Sequence, residues 1–198
     1  MQRGEEPRLT AMARALVPLA EGFEEIEAVT VVDVLRRGGV EVVLAAIGER
    51  RETCGAHGMV VTADALFADV QSGDFDAIVL PGGGPGTERL RNCDALVRRL
   101  QRQAGEGRLV CAICAAPTVL VEAEVLDPGV HVTCYPTCQM ELDRAWSPVP
   151  VVADGNVITG QAPGSALLFA LVVLQTLAGE PMARKVARAM VTDVLDDA

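Results

Sequence analysis

The run Leu109-Val-Cys-Ala-Ile-Cys114-Ala-Ala-Pro117-Thr-Val-Leu120 constrains the fold more than any other stretch of the chain. Its apolar half, Leu109 to Ile113, reads as a short buried strand, and Pro117 suits the first turn of a following helix. Cys114 therefore stands at a strand-to-helix corner, a nucleophile-elbow arrangement that lifts its side chain at the edge of a sheet. Such a corner tolerates only small residues two positions to either side, and Ala112 and Ala116 occupy them. A thiol facing the positive end of a helix has its thiolate stabilised, so the corner predicts either a reactive cysteine with a lowered pKa or, as free cysteines often are, a small buried hydrophobe.

The rest of the chain alternates apolar strands with helices. Strands are predicted at Ala15 to Leu19, Val40 to Ile47, Gly58 to Ala63, Asp76 to Leu80 and Val130 to Cys134. Glu24 to Arg37 is a helix with acids in its first turn, arginines in its last and Gly38-Gly39 to end it, as the helix dipole favours. Thr87 to Gln103 is amphipathic and helical, a short helix is expected near Leu66, and Pro163 to Leu177 and Pro181 to Met190 are closing helices. Val149 to Ala153 and Asn156 to Gly160 form a hairpin about Asp154-Gly155. Strands that are apolar throughout are covered on both faces, so the fold class is α/β, with a mostly parallel central sheet between two layers of helices.

Residues 13–198 are enough for one domain with a full core, while residues 1–12 read as a disordered extension. The 27 acidic and 17 basic residues leave a net charge of −10 with no basic block, which argues against nucleic acid or an anionic membrane as partner. Met1 to Met12 lacks an apolar core of signal-peptide length and no apolar run reaches membrane-spanning length, so a cytoplasmic location is expected. In that compartment the six cysteines stay reduced. Cys111, Cys114, Cys134 and Cys138 have roughly the spacing of a zinc site. Cys111 lies inside a strand, however, with its side chain expected to face away from that of Cys114, and the glycine and polar residues of zinc knuckles are missing. No metal site is expected.

Ligands of such a sheet bind at the carboxyl ends of its strands. Three segments should converge there: the loop Ala20 to Glu27, the glycine loop Gly82 to Gly86, and the corner at Cys114. The glycine loop lacks the Lys-Ser/Thr of a P-loop and the spacing of a dinucleotide fold. It serves either as a tight turn or as a source of exposed backbone N–H groups that hold negative charge on a reacting carbonyl.

Five motifs in order carry a family resemblance. They are Leu16-Val-Pro-Leu-Ala-Glu-Gly22-Phe-Glu-Glu-Ile-Glu27, Val32-Asp33-Val-Leu-Arg-Arg37, Leu80-Pro-Gly-Gly83, Ala112-Ile-Cys114-Ala-Ala-Pro117 and Ala162-Pro-Gly164-Ser. From about Ala13 onward the chain resembles the ThiJ/PfpI superfamily in its DJ-one-like branch. The resemblance implies a flavodoxin-like three-layer sandwich that forms a homodimer. It makes Cys114 the nucleophile and Glu27 the acid bonded to it, with the amides of Gly83 and Ala115 as an oxyanion hole. Two adjacent negative charges are unfavourable, so the pair keeps one proton; the implied state is thiolate with protonated Glu27. One departure is visible. Members of the branch often carry a histidine just before the proline of Val132-Thr-Cys-Tyr135-Pro136, and here Tyr135 stands there. A phenol of pKa ~10 is a poor base at neutral pH. Tyr135, His57 and Gly82 are the remaining pocket candidates, while His131 reads as structural.

Two functions follow from the resemblance. One is a cofactor-free, cysteine-dependent enzyme on small reactive carbonyls such as methylglyoxal, of glutathione-independent glyoxalase or deglycase type. The other is a non-catalytic redox sensor or stress chaperone, working through oxidation of Cys114 to the sulfinate.

Overall fold

The computed structural model describes residues 12–142 and 145–195, so the extension read over residues 1–12 lies outside it except for Met12. From the N-terminus the elements are β1 (Arg14–Leu19), α1 (Glu25–Arg37), β2 (Glu41–Ala46), β3 (Glu52–Cys54), β4 (Val60–Thr62), β5 (Ala65–Leu66) and α2 (Phe67–Val70). Next come β6 (Ala77–Leu80), α3 (Gly84–Arg91), α4 (Asp94–Gly105), β7 (Leu109–Ile113), α5 (Pro117–Glu122) and β8 (His131–Val132). The chain closes with α6 (Gln139–Leu142), β9 (Ala145–Trp146), β10 (Val151–Asp154), β11 (Val157–Gly160), α7 (Ala166–Ala178) and α8 (Glu180–Ala189).

Seven strands form one sheet in the order β10-β11-β7-β6-β1-β2-β5. Every pairing in it is parallel except the β10–β11 hairpin at one edge. The mostly parallel sheet between helix layers is the architecture expected from the sequence.

The strands sort their side chains by parity, as a pleated backbone must. Ala15, Val17 and Leu19 of β1 enter the core that α1, α7 and α8 cover, with Val34, Leu35, Phe169 and Leu174. Leu16 enters the opposite core, with Leu90, Leu96, Leu100 and Leu120 from α3, α4 and α5. Burial on both faces explains why β1, β6 and β7 read as unbroken apolar runs. Truncating the fully buried Leu16 to Ala would cost about 2–5 kcal/mol.

Three expectations need correction. The helix read over Thr87 to Gln103 is two helices, α3 and α4, separated at Asn92 and Cys93. Side-chain periodicity continues across that break, so it carries no sign of it. The strand read over Gly58 to Ala63 shrinks to β4, which pairs only with β3 in an antiparallel ribbon outside the main sheet. The strand read over Val130 to Cys134 shrinks to β8, which pairs with β9 in a second small sheet. Both short pairs are too brief for periodicity to specify their partners.

Candidate functional site

Cys114 follows the last residue of β7 and has φ 66°. This left-handed conformation is strained for a residue with a Cβ and marks a position held by its surroundings. The surroundings are specific. The Cys114 amide donates to the Gly160 carbonyl of β11 at 2.9 Å, and the Cys114 carbonyl accepts the Tyr135 amide at 2.7 Å. Ala112 and Ala116, the small flanking residues, are fully buried. The turn at Cys114 also ends strand alternation, so the side chain packs against the same core as Cys111 rather than the opposite one.

Glu27 enters from α1 and is fully buried. Its Oε2 accepts the Gly82 amide at 2.7 Å, and the carboxyl group lies beside the Cys114 thiol, close enough for each to shift the other's ionisation. The second oxygen, Oε1, is buried and receives no hydrogen bond of ordinary geometry among the described residues. Burial is the largest influence on the acid and, with the Glu24 charge, outweighs the Gly82 amide and the contact with Cys114, pushing the Glu27 carboxyl up to about 7.

The glycine loop is built to let these groups meet. A Cβ on Gly82 would lie 2.8 Å from both the Cys114 Cβ and the Glu27 Oε2. Gly83 has φ 90°, and a Cβ there would collide with the Gly22 carbonyl and lie 2.6 Å from the Glu24 amide. Glycine is thus required in this turn both by its backbone conformation and by the close packing of its neighbours. The amides of Gly83 and Ala115 face the Cys114 sulfur and favour its thiolate.

Those amides do not dominate. Burial is the larger effect and, with the Glu27 charge alongside, pushes the Cys114 thiol up to about 12. The lowered pKa expected from the helix position is thus reversed. The physical reason is geometric: α5 has only 6 residues, while the sulfur lies in a poorly hydrated pocket beside a carboxyl group.

The remaining candidates lie nearby. The Tyr135 side chain is exposed, and its contact with the corner is made by its backbone amide. His57 does not reach the sulfur. Its amide donates to Glu25 Oε1 at 2.6 Å, and its Nδ1 lies 2.8 Å from Glu25 Oε2. His131 is exposed and bonds Asp154 through its amide at 2.9 Å, in keeping with a structural part. No cysteine belongs to a metal-competent cluster among the described residues; the group that gathers such donors is Glu24, Glu25 and His57.

Sequence reasoning missed the Gly160 carbonyl, which pins the nucleophile's amide, and the burial of Glu24 and Glu25 beside Glu27. Gly160 is 46 residues beyond the corner, and no local pattern links the two. Glu24 and Glu25 resemble ordinary first-turn acids, so nothing local signalled their burial.

Comparison with known proteins agrees with this fold. The DJ-1/PfpI family pattern matches residues 13–176. The chain is 37% identical over 180 residues to Protein DJ-1 homolog B of Arabidopsis thaliana, covering 90% of this chain and 41% of that protein. It thus spans less than half the length of that relative. It is 36% identical over 175 residues to the glutathione-independent glyoxalase DJR-1.2 of Caenorhabditis elegans, covering 86% of this chain and 92% of that protein. The fold is similar to the structure of oxidized Toxoplasma gondii DJ-1, with a TM-score of 0.88, 35% identity, and coverage of 91% and 99% of the two chains. With this match along most of its length, and with Glu27 and Cys114 meeting at the elbow, the chain belongs to the DJ-1/PfpI family.

Proposed function

We propose that this protein is a cysteine-dependent enzyme that needs no cofactor and acts on small reactive carbonyls, of the glutathione-independent glyoxalase or deglycase type. The observation that carries the reading is the fully buried Glu27 carboxyl beside the thiol of Cys114, with the Gly83 and Ala115 amides facing the same sulfur. The pair holds one proton between two acids. In the free protein it rests on the sulfur, the weaker acid of the two, and it passes to Glu27 as the sulfur adds to the aldehyde carbon of methylglyoxal. A C–S bond forms, and the carbonyl π electrons move to oxygen, where the Gly83 and Ala115 amides hold them. Glu27 protonates that alkoxide to give the hemithioacetal and, now a carboxylate, carries a proton from the former aldehyde carbon to its neighbour while the hydroxyl proton passes to the neighbouring oxygen, which yields a lactyl thioester. Water attacks that thioester, releases lactate and restores the thiol. The glyoxalase name of the Caenorhabditis elegans relative supports the substrate class.

The test is lactate formation from methylglyoxal by the wild type, Cys114→Ser and Glu27→Gln. Turnover by the wild type alone is expected. Equal rates in all three would discard the reading.

A second reading, a redox sensor or stress chaperone, draws on the same contact, since a protonated Glu27 can donate a hydrogen bond to a Cys114 sulfinate. The similar Toxoplasma gondii structure is of an oxidized form. Under either reading a homodimer fits the exposed apolar side chains of Ile26, Val29, Met59 and Val60, which face solvent on α1, on β4 and just before it.

A further inference from the structure

We propose that Glu24, Glu25 and His57 form a binding site for a divalent transition-metal ion with the nitrogen and oxygen preference of zinc, beside the cysteine pocket.

The donor atoms already have the spacing that such an ion imposes. His57 Nδ1 lies 2.8 Å from Glu25 Oε2 and 3.6 Å from Glu24 Oε2, and all three ligand atoms fall within 4.8 Å of one another. Two ligands at ~2.0–2.1 Å from zinc are separated by about 2.9 Å at a right angle and about 3.4 Å at the tetrahedral angle. An ion can therefore enter between His57 and either carboxylate with shifts of a few tenths of an ångström, and the two carboxylates close on it from a separation of at most 4.8 Å. Imidazole with carboxylates suits zinc, and three protein ligands leave a fourth position for water.

Charge points the same way. Glu24 is 8% exposed and Glu25 5% exposed. Buried carboxylates ordinarily require a countercharge. Among the described residues, His57 supplies the only ion pairs that either acid makes, and its side chain is 71% exposed. Glu24 accepts no hydrogen bond from any described residue through its carboxylate, and its 3.6 Å approach to His57 is its whole set of polar side-chain partners. Elsewhere in the chain, half-exposed acids such as Asp33 take an arginine.

The ligand orientation is preset as well. Glu25 Oε1 holds the His57 amide at 2.6 Å, so the loop that carries the imidazole also fixes the carboxylate and frees Oε2 for an ion. Such anchoring of the atom behind the ligand is a regular feature of metal sites.

Calorimetric titration of the reduced, metal-free, full-length protein with Zn2+ tests the site, using the wild type, His57→Ala, Glu24→Gln and Cys114→Ser. His57 is exposed and Glu24→Gln is isosteric, so both variants should fold. One Zn2+ per chain is expected for the wild type and Cys114→Ser with equal affinity. His57→Ala and Glu24→Gln should each weaken it at least tenfold. Co2+ in place of Zn2+ should give visible ligand-field bands without the near-ultraviolet charge transfer of a cobalt–thiolate bond. The proposal is overturned if the wild type binds no Zn2+, if His57→Ala binds with wild-type affinity, if Cys114→Ser loses binding, or if Co2+ shows thiolate charge transfer.

Discussion

The carboxyl of Glu27 and the thiol of Cys114 touch although 87 residues separate them in sequence, and the Gly82 peptide lies between helix and elbow so closely that no side chain fits there. One acid is delivered by the start of α1 and the other by the end of β7. Their contact makes their protonation states inseparable.

That contact sets a pH dependence of stability. Glu27 is raised from 4.5 to about 7, so its contribution is fully present below pH 4.5 and is lost as pH rises through about 7. Ionising it in the fold costs roughly 3 kcal/mol, the difference between those values at ~1.4 kcal/mol per pH unit. Glu27→Gln escapes this cost. Thermal melts should show the variant gaining several degrees on the wild type between pH 5 and pH 8. Parallel melting curves across that range would contradict the burial argument.

Gly82→Ala should damage activity more than stability. The added Cβ lies 2.8 Å from Cys114 Cβ and from Glu27 Oε2, so one of them must move. A misplacement near 1 Å costs about a hundredfold in rate. Steady-state kinetics with methylglyoxal should find kcat reduced by about that factor, and a wild-type kcat would mean that the spacing is not critical.

Tyr135 touches the corner through its amide, which any residue except proline retains. Its hydroxyl can at most orient substrate by one neutral hydrogen bond, worth about 0.5–1.5 kcal/mol. Tyr135→Phe should therefore lower kcat/KM about two- to twelve-fold, whereas Glu27→Ala abolishes turnover. Equal losses in the two variants would make the phenol a proton-transfer group.

Mild peroxide should add two oxygens to Cys114 and stop, because Glu27 can hydrogen-bond a sulfinate. Buried Cys111 should stay unmodified. Intact mass and peptide mapping read the outcome, and Glu27→Gln should shift the preferred oxidation state. Identical product distributions would detach Glu27 from the sulfur's chemistry.

Ile26 on α1 is 57% exposed and Val60 on β4 is 64% exposed, the apolar surface offered for self-association. Sedimentation of the wild type should give a dimer, and Ile26→Glu should shift it toward monomer by placing charge in that surface. A monomeric wild type, or a variant that remains fully dimeric, would exclude this face.

Apart from the two-residue edge strand β5, which was not read, the strands of the main sheet were legible because parallel strands buried on both faces leave apolar runs, as in Ala15 to Leu19 and Leu109 to Ile113. The corner at Cys114 was legible too, from the alanines around it and the proline after it. Motif order then brought Glu27 to it by resemblance alone, since spacing along α1 makes it one of several first-turn acids. Tertiary structure decided the rest. It decided that Glu27 is buried while Ile26 beside it is exposed, and it broke one amphipathic stretch into α3 and α4. It also reversed the sign of the cysteine's shift. A local helix end favours the thiolate, but desolvation depends on everything packed around the sulfur, and no neighbouring sequence position records that. The closure of His57 onto Glu25, 32 residues away, belongs to the same class. Patterns along a chain report backbone periodicity and local capping, whereas charge burial and the pairing of distant acids arise only when separate elements share one low-dielectric space.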